Sequence, residues 1–418
     1  MEFKVNLRSA IYSLSDALDL VGVDELFHGK RAAYTVLELG RQAGVEGAEL
    51  DNLFFAALLH DCGVSSTRVH QALTSQFSWA RAKEHCDKGY TLLRHCPPLA
   101  HLADVIRFHH THWDELELYD VLDPQLKLHA NLIFLADRID ALNDQGSGVD
   151  ILVSNDEIRD MVAAQSGKMF APQWVDAFLR LSESESYWGG LESDHLDRYL
   201  SCWVRQARPW EADYASFKAV AELFANVVDT KTEFTAGHSL GVGRLARRVG
   251  ELCGLESYSC EMLEIAGLLH DIGRLRVPDE IMEKPNPLDP EEFDLMERFS
   301  FDGYKILGKV EGLEDIALWA GYHHERPGEE GYPLRRDDEL PLEAHILNAV
   351  DVFQAMAQER PYRGKKAPEE IIAAMRAMVE DGRLDAGVVE KMAANLDLCW
   401  QAAVVDEATE MPLAEAAG

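Results

Sequence analysis

The sequence FFAALLHDCG at residues 54–63 decides the fold, because EIAGLLHDIG at residues 264–273 repeats it closely. Both stretches are apolar runs that end on a histidine-aspartate pair and a glycine. In each half, a further histidine stands 32 positions before the pair. The residues of this unit are His28, His60 and Asp61 in the first copy and His238, His270 and Asp271 in the second. The chain is therefore an internal duplication, one domain built twice.

The duplication continues beyond the histidine-aspartate pair. The copies are 210 positions apart up to the pair and 214 positions apart further on, so one insertion of four residues separates them. The downstream residues that the copies share are Gly89, Tyr90, His109, His110 and Asp137 in the first and Gly303, Tyr304, His323, His324 and Asp351 in the second. We predict an N-terminal domain at residues 1–205, a C-terminal domain at residues 206–403 and an acidic tail at residues 404–418.

Hydrophobic periodicity predicts helices almost throughout the chain. Val242, Leu245 and Val249, for example, recur at helical spacing, and no long alternating pattern of a strand competes with them. A length of 418 residues also suits two domains of about 200 residues better than one core. We predict an all-α protein made of two tandem helical bundles.

Composition narrows the classes of partner. The chain has 73 acidic and 40 basic residues, and its net charge of −33 argues against a nucleic-acid polymer, whose phosphate backbone it would repel. It has no apolar run of about 20 residues, so we expect no membrane span. The N-terminus lacks the pattern of a secretory signal, and the seven cysteines are scattered and odd in number, which favours the reducing cytoplasm.

The shared histidines and aspartates form a pattern typical of a metal centre. A lone histidine on an apolar helix is more often a packing residue than a ligand, but an ordered set that recurs with equal spacing overturns that interpretation. Imidazole and carboxylate without thiolate suit iron or manganese, with zinc, cobalt and nickel as weaker alternatives. A pair of ions about 4 Å apart can hold a phosphoryl group and activate a water molecule.

Five motifs of the C-terminal half are more specific still. They are TAGH ending at residue 238, LLHDIGRLRVPDEI from 268, KPNPLDPEEFDLM from 284, YHHERPGEEGYP from 322 and AVDVFQAMAQERPYR from 349. With them, the segment from about residue 229 to residue 363 resembles the HD-GYP domain of bacterial cyclic di-GMP phosphodiesterases. The resemblance implies a helical bundle that binds two or three ions. The implied ligands are His238, His270, Asp271, His323, His324 and Asp351.

The same resemblance implies residues that contact the substrate. Gly331, Tyr332 and Pro333 would form the GYP loop beside the active site, and Arg363 closes the RPYR motif. Arg274 stands where the family usually has a lysine close to the substrate phosphate, which keeps the charge but changes its reach and geometry. We assign substrate binding to all five residues, and a catalytic role to Arg274 as well.

The N-terminal half resembles the broader HD superfamily and carries the fuller ligand set. It has His85 where the C-terminal half has Phe299, and a phenyl ring cannot coordinate an ion. Its implied ligands are His28, His60, Asp61, His85, His109, His110 and Asp137. Val64 takes the place of the family's lysine, and no GYP loop follows the His-His pair. We expect the C-terminal half to keep its first ion and to bind the second poorly.

We expect a metal-dependent phosphodiesterase of cyclic dinucleotides, with cyclic di-GMP as the first candidate substrate. The expected nucleophile is a metal-bound hydroxide at a centre of two iron or manganese ions, with Asp61, Asp271 and Arg274 as catalytic residues. A diguanylate cyclase or another signalling protein is a candidate partner. Two alternatives stay open: a partly degenerate signalling module that binds nucleotide or protein without turnover, and an HD-type di-iron oxygenase.

Overall fold

The structure, a computed structural model, is helical nearly throughout. It describes residues 3–22, 27–75, 81–144, 154–232, 236–284, 286–324, 340–358 and 364–404. Within these ranges the only strands are β1 (Val5–Asn6) and β2 (Glu211–Ala212), which pair antiparallel. The prediction of an all-α protein with two helical domains is confirmed.

The chain divides into two compact units. One contains Leu14–Trp210, and the other contains Met1–Ser13 together with Glu211–Gly418. The sequence alone places the first thirteen residues in the N-terminal domain. They lie in the other unit because β1 pairs with β2 there and because the ring centroid of Phe3 lies 5.6 Å from that of Phe217. A two-residue strand leaves too short a pattern for sequence reasoning to detect.

The first half of the chain contains thirteen α-helices in the described ranges. They are α1 (Leu7–Leu14), α2 (Asp16–Asp19), α3 (His28–Gln42), α4 (Gly47–Leu59), α5 (Thr67–Ser75), α6 (Ala82–Arg94), α7 (Ala103–Phe108), α8 (Trp113–Glu117), α9 (Pro124–Asp144), α10 (Asn155–Ala163), α11 (Pro172–Leu181), α12 (Glu185–Gly189) and α13 (Ser193–Gln206). Short 3₁₀ turns occupy Leu20–Gly22 and Ala100–Leu102.

The second half repeats the order of the ligand-bearing helices. Its helices are α14 (Tyr214–Asp229), α15 (His238–Cys253), α16 (Ser257–Leu269), α17 (Asp279–Met282), α18 (Pro290–Leu307), α19 (Glu314–Tyr322), α20 (Leu342–Ala357), α21 (Pro368–Glu380), α22 (Ala386–Ala394) and α23 (Leu396–Ala403). A 3₁₀ turn at Ile272–Arg276 follows α16. By position in the repeat, α15, α16, α18, α19 and α20 correspond to α3, α4, α6, α7 and α9.

Helices α4 and α16 lie at the centre of their units. Every residue of 53–59 in α4 and of 262–269 in α16 is buried. Helices that are buried all round and only thirteen residues long are core helices, and none of the helices in the described ranges is long and apolar enough to span a membrane. Because each helix ends on the histidine-aspartate pair, packing it in the core carries that pair into the interior.

A buried aspartate fixes the start of the helix that carries the first ligand of each half. The Asp19 carboxylate accepts a hydrogen bond of 2.9 Å from the backbone N–H of Gly29 at the start of α3. Asp229 accepts one of 2.9 Å from the backbone N–H of Ser239 at the start of α15. These bonds satisfy helix N–H groups that lack an intrahelical partner. The aspartates are also 210 positions apart, so the repeat contains this signal although the ligand pattern alone does not reveal it.

A close approach of two backbones follows each histidine-aspartate pair. A β-carbon on Gly63 would lie 2.0 Å from the carbonyl oxygen of His85, and one on Gly273 would lie 2.0 Å from that of Phe299. No residue larger than glycine fits without a backbone shift. The turn after the pair therefore lies directly on α6 or α18, and this contact sets the distance between the aspartate and the middle position of the repeat.

Gly63→Ala and Gly273→Ala are each expected to lower the free energy of unfolding by about 1–3 kcal/mol, because overpacking forces the turn away from the helix. Urea unfolding followed by circular dichroism measures the loss. The matched controls are Gly189→Ala and Gly364→Ala, where a β-carbon would meet nothing within 4 Å. A Gly63→Ala protein as stable as the Gly189→Ala protein would contradict the close approach.

Candidate metal centres

The unit Leu14–Trp210 brings all seven predicted N-terminal ligands together. Two groups of these side chains have ligand atoms within 4.8 Å of one another: His28, His60 and Asp61 in one, and Asp61, His85, His109 and His110 in the other. Asp137 of α9 joins them, with Oδ1 3.5 Å from His28 Nε2 and Oδ2 3.5 Å from His110 Nε2. Asp61 is the member that the two groups share.

The Asp61 carboxylate lies between the two groups. Its Oδ2 is 3.7 Å from His28 Nε2 and 3.5 Å from His60 Nε2. Its Oδ1 is 3.4 Å from His85 Nε2, and this buried oxygen has no hydrogen-bond partner in the described part of the chain. Because one oxygen faces each group of histidines, the carboxylate is oriented to bridge two cations.

Backbone carbonyls orient the histidine rings. The Nδ1–H of His60 donates to the carbonyl of Ala57 over 2.8 Å, and that of His109 donates to the carbonyl of Ile106 over 2.6 Å. A carbonyl only accepts, so the hydrogen is assigned to Nδ1, and Nε2 presents its lone pair to the centre. Both bonds span three residues at the end of a helix, which explains why these ligands directly follow α4 and α7.

Burial keeps the second group of histidines neutral. It lowers the pKa of His85 to about 4 and the pKa of His109 to about 3, with nearby histidines adding to the effect on each. A neutral imidazole is the form that binds a metal. Cys86 lies 3.6 Å from His109 Nδ1, but burial raises the pKa of its thiol well above the ordinary value, so it is a neutral packing residue here.

Arg138 pairs with Asp137, a contact that the sequence pattern did not reveal. Its Nε and Nη2 donate to the two carboxylate oxygens over 3.1 and 3.0 Å. Burial alone would raise the pKa of Asp137, but Arg138, with hydrogen bonds from His28 and His60, holds it well below the usual range. The carboxylate is therefore ionised, as a ligand must be.

Asp140 orients His28 from behind. Its Oδ2 accepts from His28 Nδ1 over 2.7 Å, and Arg31 Nη2 donates to the same oxygen over 3.0 Å. Such a carboxylate fixes the ring and increases the basicity of the metal-facing nitrogen. Asp140 lies three residues after Asp137 in α9 and so on the same face of that helix, which is the signal that sequence reasoning could have used.

The C-terminal ligands also converge, within the other unit. Three groups have ligand atoms within 4.8 Å of one another: His238, His270 and Asp351; His270, Asp271 and His323; and His323, His324 and Asp351. His238 Nε2 lies 3.0 Å from Asp351 Oδ1, and His270 Nε2 lies 3.2 Å from Asp271 Oδ2. The Nδ1–H of His270 donates to the carbonyl of Gly267 over 2.7 Å, so its Nε2 faces inward, as in the first half.

Buried polar atoms without partners show that both sets fit a cation. In the described ranges, they include Asp61 Oδ1, Asp271 Oδ1, His270 Nε2 and His323 Nε2. A buried acceptor left without a partner costs about 1–3 kcal/mol, so several in one place indicate a ligand that satisfies them together. Imidazole and carboxylate donors suit a transition metal ion.

The structure places Phe299 where the first half has His85. Its ring centroid lies 5.9 Å from that of His323 and 5.4 Å from that of His324. His85 lies 5.2 Å and 4.9 Å from the corresponding rings of His109 and His110. The repeat alignment at this position therefore describes a real spatial equivalence, and the C-terminal set lacks one ligand.

Arg274 lies beside the C-terminal ligands, with Nη1 2.6 Å from Asp271 Oδ2. Its role close to a substrate phosphate stays a prediction. The other predicted substrate contacts, Gly331, Tyr332, Pro333 and Arg363, lie outside the described residues.

Comparisons with known proteins connect this arrangement to an activity. Residues 27–142 and 222–388 each match the HD domain family. The 3′3′-cGAMP-specific phosphodiesterase 1 of Vibrio cholerae is 35% identical, over 98% of this chain and 96% of its own length. A cyclic di-GMP phosphodiesterase of Thermotoga maritima is 32% identical, over 42% of this chain and 49% of its own length. A solved cyclic GMP-AMP specific phosphodiesterase of V. cholerae, V-cGAP3, has a similar fold, with a TM-score of 0.63 and 24% identity over 95% of this chain and 99% of that one.

Asp140→Asn is expected to weaken metal binding in the N-terminal half by about 10–100-fold, because the amide no longer supports His28 as a carboxylate does. Competition with a chromogenic chelator measures the affinity. Asp104→Asn, an exposed carboxylate on α7, is the matched control. Equal affinities in the two variants would show that Asp140 does not tune the centre.

Proposed function

The chain belongs to the HD-domain phosphodiesterases, which are phosphoric diester hydrolases, and we propose that it hydrolyses a cyclic dinucleotide, 3′3′-cyclic GMP-AMP first among them. The geometry that carries the proposal is the Asp61 carboxylate, with one oxygen toward each of two histidine groups. Asp61 with His28 and His60 would hold one cation, and Asp61 with His85, His109 and His110 a second, and a pair of cations would supply the charge that phosphoryl transfer needs.

The choice of substrate rests on how much of the chain each relative covers. The relative named for 3′3′-cGAMP aligns with nearly the whole chain, whereas the one named for cyclic di-GMP aligns with less than half. Cyclic di-GMP, the candidate from the C-terminal motifs, therefore becomes the second candidate. The two molecules share a phosphodiester ring and one guanine and differ in the other base, so residues that contact phosphate do not distinguish them.

The protein's own residues have separate tasks in this proposal. When bound, the ions supply an activated water and neutralise the phosphoryl charge. Asp61 and Asp271 hold the ligand groups together, and the backbone bonds of the histidines keep their Nε2 atoms aimed inward. Arg274 offers a positive charge to the substrate phosphate in the C-terminal half. We propose that Gly331, Tyr332, Pro333 and Arg363 contact the nucleotide there.

A second function is favoured by two observations in the structure. Val64 stands where the C-terminal half has Arg274, and Phe299 stands where the N-terminal half has His85; both are buried, at 2% and 3% exposure. Among the described residues, neither half therefore has both a middle histidine and an arginine beside the aspartate of its histidine-aspartate pair. One half would then bind nucleotide or a protein partner and regulate the other. A diguanylate cyclase as that partner and a cytoplasmic location stay predictions.

Exhaustive chelation of the full-length protein is expected to abolish hydrolysis of 3′3′-cyclic GMP-AMP, and Mn²⁺ or Fe²⁺ is expected to restore it. The reason is that the site offers metal ligands rather than a serine or cysteine nucleophile beside a base. Chromatographic separation of the products measures turnover, and cyclic di-GMP in the same assay tests the second candidate. Hydrolysis that survives chelation would contradict the mechanism, and failure to hydrolyse either molecule when metal is bound would favour the signalling module.

His85→Phe and Asp271→Ala locate the chemistry, because each changes a predicted ligand residue of only one half. At least one of them is expected to lower kcat by orders of magnitude in the assay described above. His195→Phe, a change at an exposed histidine, is the matched control and should leave kcat unchanged. Full activity in both ligand variants would contradict a metal-dependent reaction at either centre.

A further inference from the structure

Each half of the chain places an arginine on one of its ligand carboxylates, but the carboxylate differs. In the N-terminal half, Arg138 pairs with Asp137 of α9. In the C-terminal half, Arg274 pairs instead with Asp271, the equivalent of the shared Asp61. The aspartate of the histidine-aspartate pair is thus bonded to an arginine in the C-terminal half, whereas Asp61 contacts histidines and no arginine among the described residues.

The contacts of Arg274 define a cation site within the C-terminal centre. Its Nη1 lies 2.6 Å from Asp271 Oδ2, and its guanidinium carbon lies 4.9 Å from the centroid of the Phe299 ring. The ring face attracts the guanidinium charge, and the carboxylate holds it in place. The side chain of Arg274 is 18% exposed and that of Asp271 is 2% exposed, so water screens this pair only weakly.

The other copy of the repeat has a different pair of residues at these two positions. Val64 corresponds to Arg274, and His85 corresponds to Phe299. In the N-terminal half, the valine is buried and uncharged, and His85 Nε2 points at Asp61 Oδ1 from 3.4 Å. The C-terminal half therefore has a fixed positive charge on this carboxylate, and a phenyl ring where the N-terminal half has a histidine.

We infer that the C-terminal centre binds a single metal ion, through His238, His270 and Asp351, and that the Arg274 guanidinium on Phe299 takes the place of the second ion. Two features oppose that second ion. One is the missing histidine, and the other is the guanidinium, which occupies Asp271 Oδ2 from 2.6 Å and repels a divalent cation there. The N-terminal centre, with His85 and Val64, has neither feature and binds two ions.

The guanidinium keeps a donor for a substrate. Arg274 Nε is buried and has no hydrogen-bond partner among the residues that the structure describes. A bound metal ion in this place would likewise contact both the aspartate and a phosphate oxygen. This second contact rests on the proposed function, whereas the number of bound ions does not.

The number of Mn²⁺ ions bound by the full-length protein tests the inference. Elemental analysis after saturation and removal of free metal is expected to give three ions in the unaltered protein. Phe299→His alone should leave three, because Arg274 still repels the fourth. Phe299→His combined with Arg274→Val should give four, and the new pair of Mn²⁺ ions should show spin coupling in its electron paramagnetic resonance spectrum. Four ions in the unaltered protein, four with Phe299→His alone, or three in the folded double variant would overturn the inference.

The N-terminal half offers the reciprocal variant as a matched control. Val64→Arg combined with His85→Phe builds the C-terminal arrangement there and should lower the count from three ions to two, with loss of the spin-coupled signal. Helix content from circular dichroism confirms that each variant is folded. If the C-terminal double variant does not fold, the N-terminal double variant still tests the inference, because an unchanged count of three ions would overturn it. None of these measurements uses a nucleotide, so their outcome is independent of whether the proposed substrate is correct.

Discussion

The position of one carboxylate between two groups of imidazoles is the constraint on which the rest of each domain depends. Asp61 follows a buried helix, so the core fixes it from one side. Two residues later, Gly63 lies against the backbone of α6 so closely that no side chain fits between them. The aspartate is therefore held at a set distance from both the early and the middle histidine. A bridging ligand needs such fixation, because an error of about 1 Å in a metal or catalytic site is enough to impair it.

The centres also explain how a strongly acidic protein can bind an anionic substrate. The chain carries a net charge of −33, which would repel a cyclic dinucleotide at long range. Within the N-terminal centre, the histidines of the second group are neutral and the carboxylates face other histidines or Arg138, so cations added there make the site locally positive. Local charge at the point of contact outweighs net charge, because salt screens interactions beyond about 8–10 Å.

The residues that converge in each unit could be predicted from the sequence because the duplication supplies an internal comparison. His28 and His238, or Asp137 and Asp351, stand out only when the two halves are aligned. Asp19 and Asp229 repeat in the same way, but the residues that hold the ring of the first histidine could not be found by comparing the copies, because the copies differ there. Arg31 and Asp140 have no charged equivalents in the second half, where Gly241 and Gln354 occupy their places. The placement of the first thirteen residues depends on a strand pair that is too short to leave a periodic pattern. The two cyclic dinucleotides differ in one base, so residues that contact phosphate do not predict which of them is preferred.

Arg31 and Asp140 are in contact in the first half, and both differ in the second half. The two positions change together because their side chains compete for the same space. Where α3 has Arg31, α15 has Gly241, and a β-carbon on that glycine would lie 2.2 Å from the amide nitrogen of Gln354. The amide thus fills the volume that an arginine side chain would need, and it bonds instead to the carbonyl of Ala403 over 3.2 Å. The ring of His238 is then held by Gln358, whose neutral Oε1 accepts from Nδ1 over 3.0 Å. An amide increases the basicity of the metal-facing nitrogen less than a carboxylate does, so His238 binds a cation less strongly than His28. The difference at Arg274 and Phe299 acts in the same direction, toward fewer cations in the C-terminal centre. In each exchange the charge near the centre differs between the halves while the helices that carry the ligands keep their order, so one duplicated fold can hold two different sites.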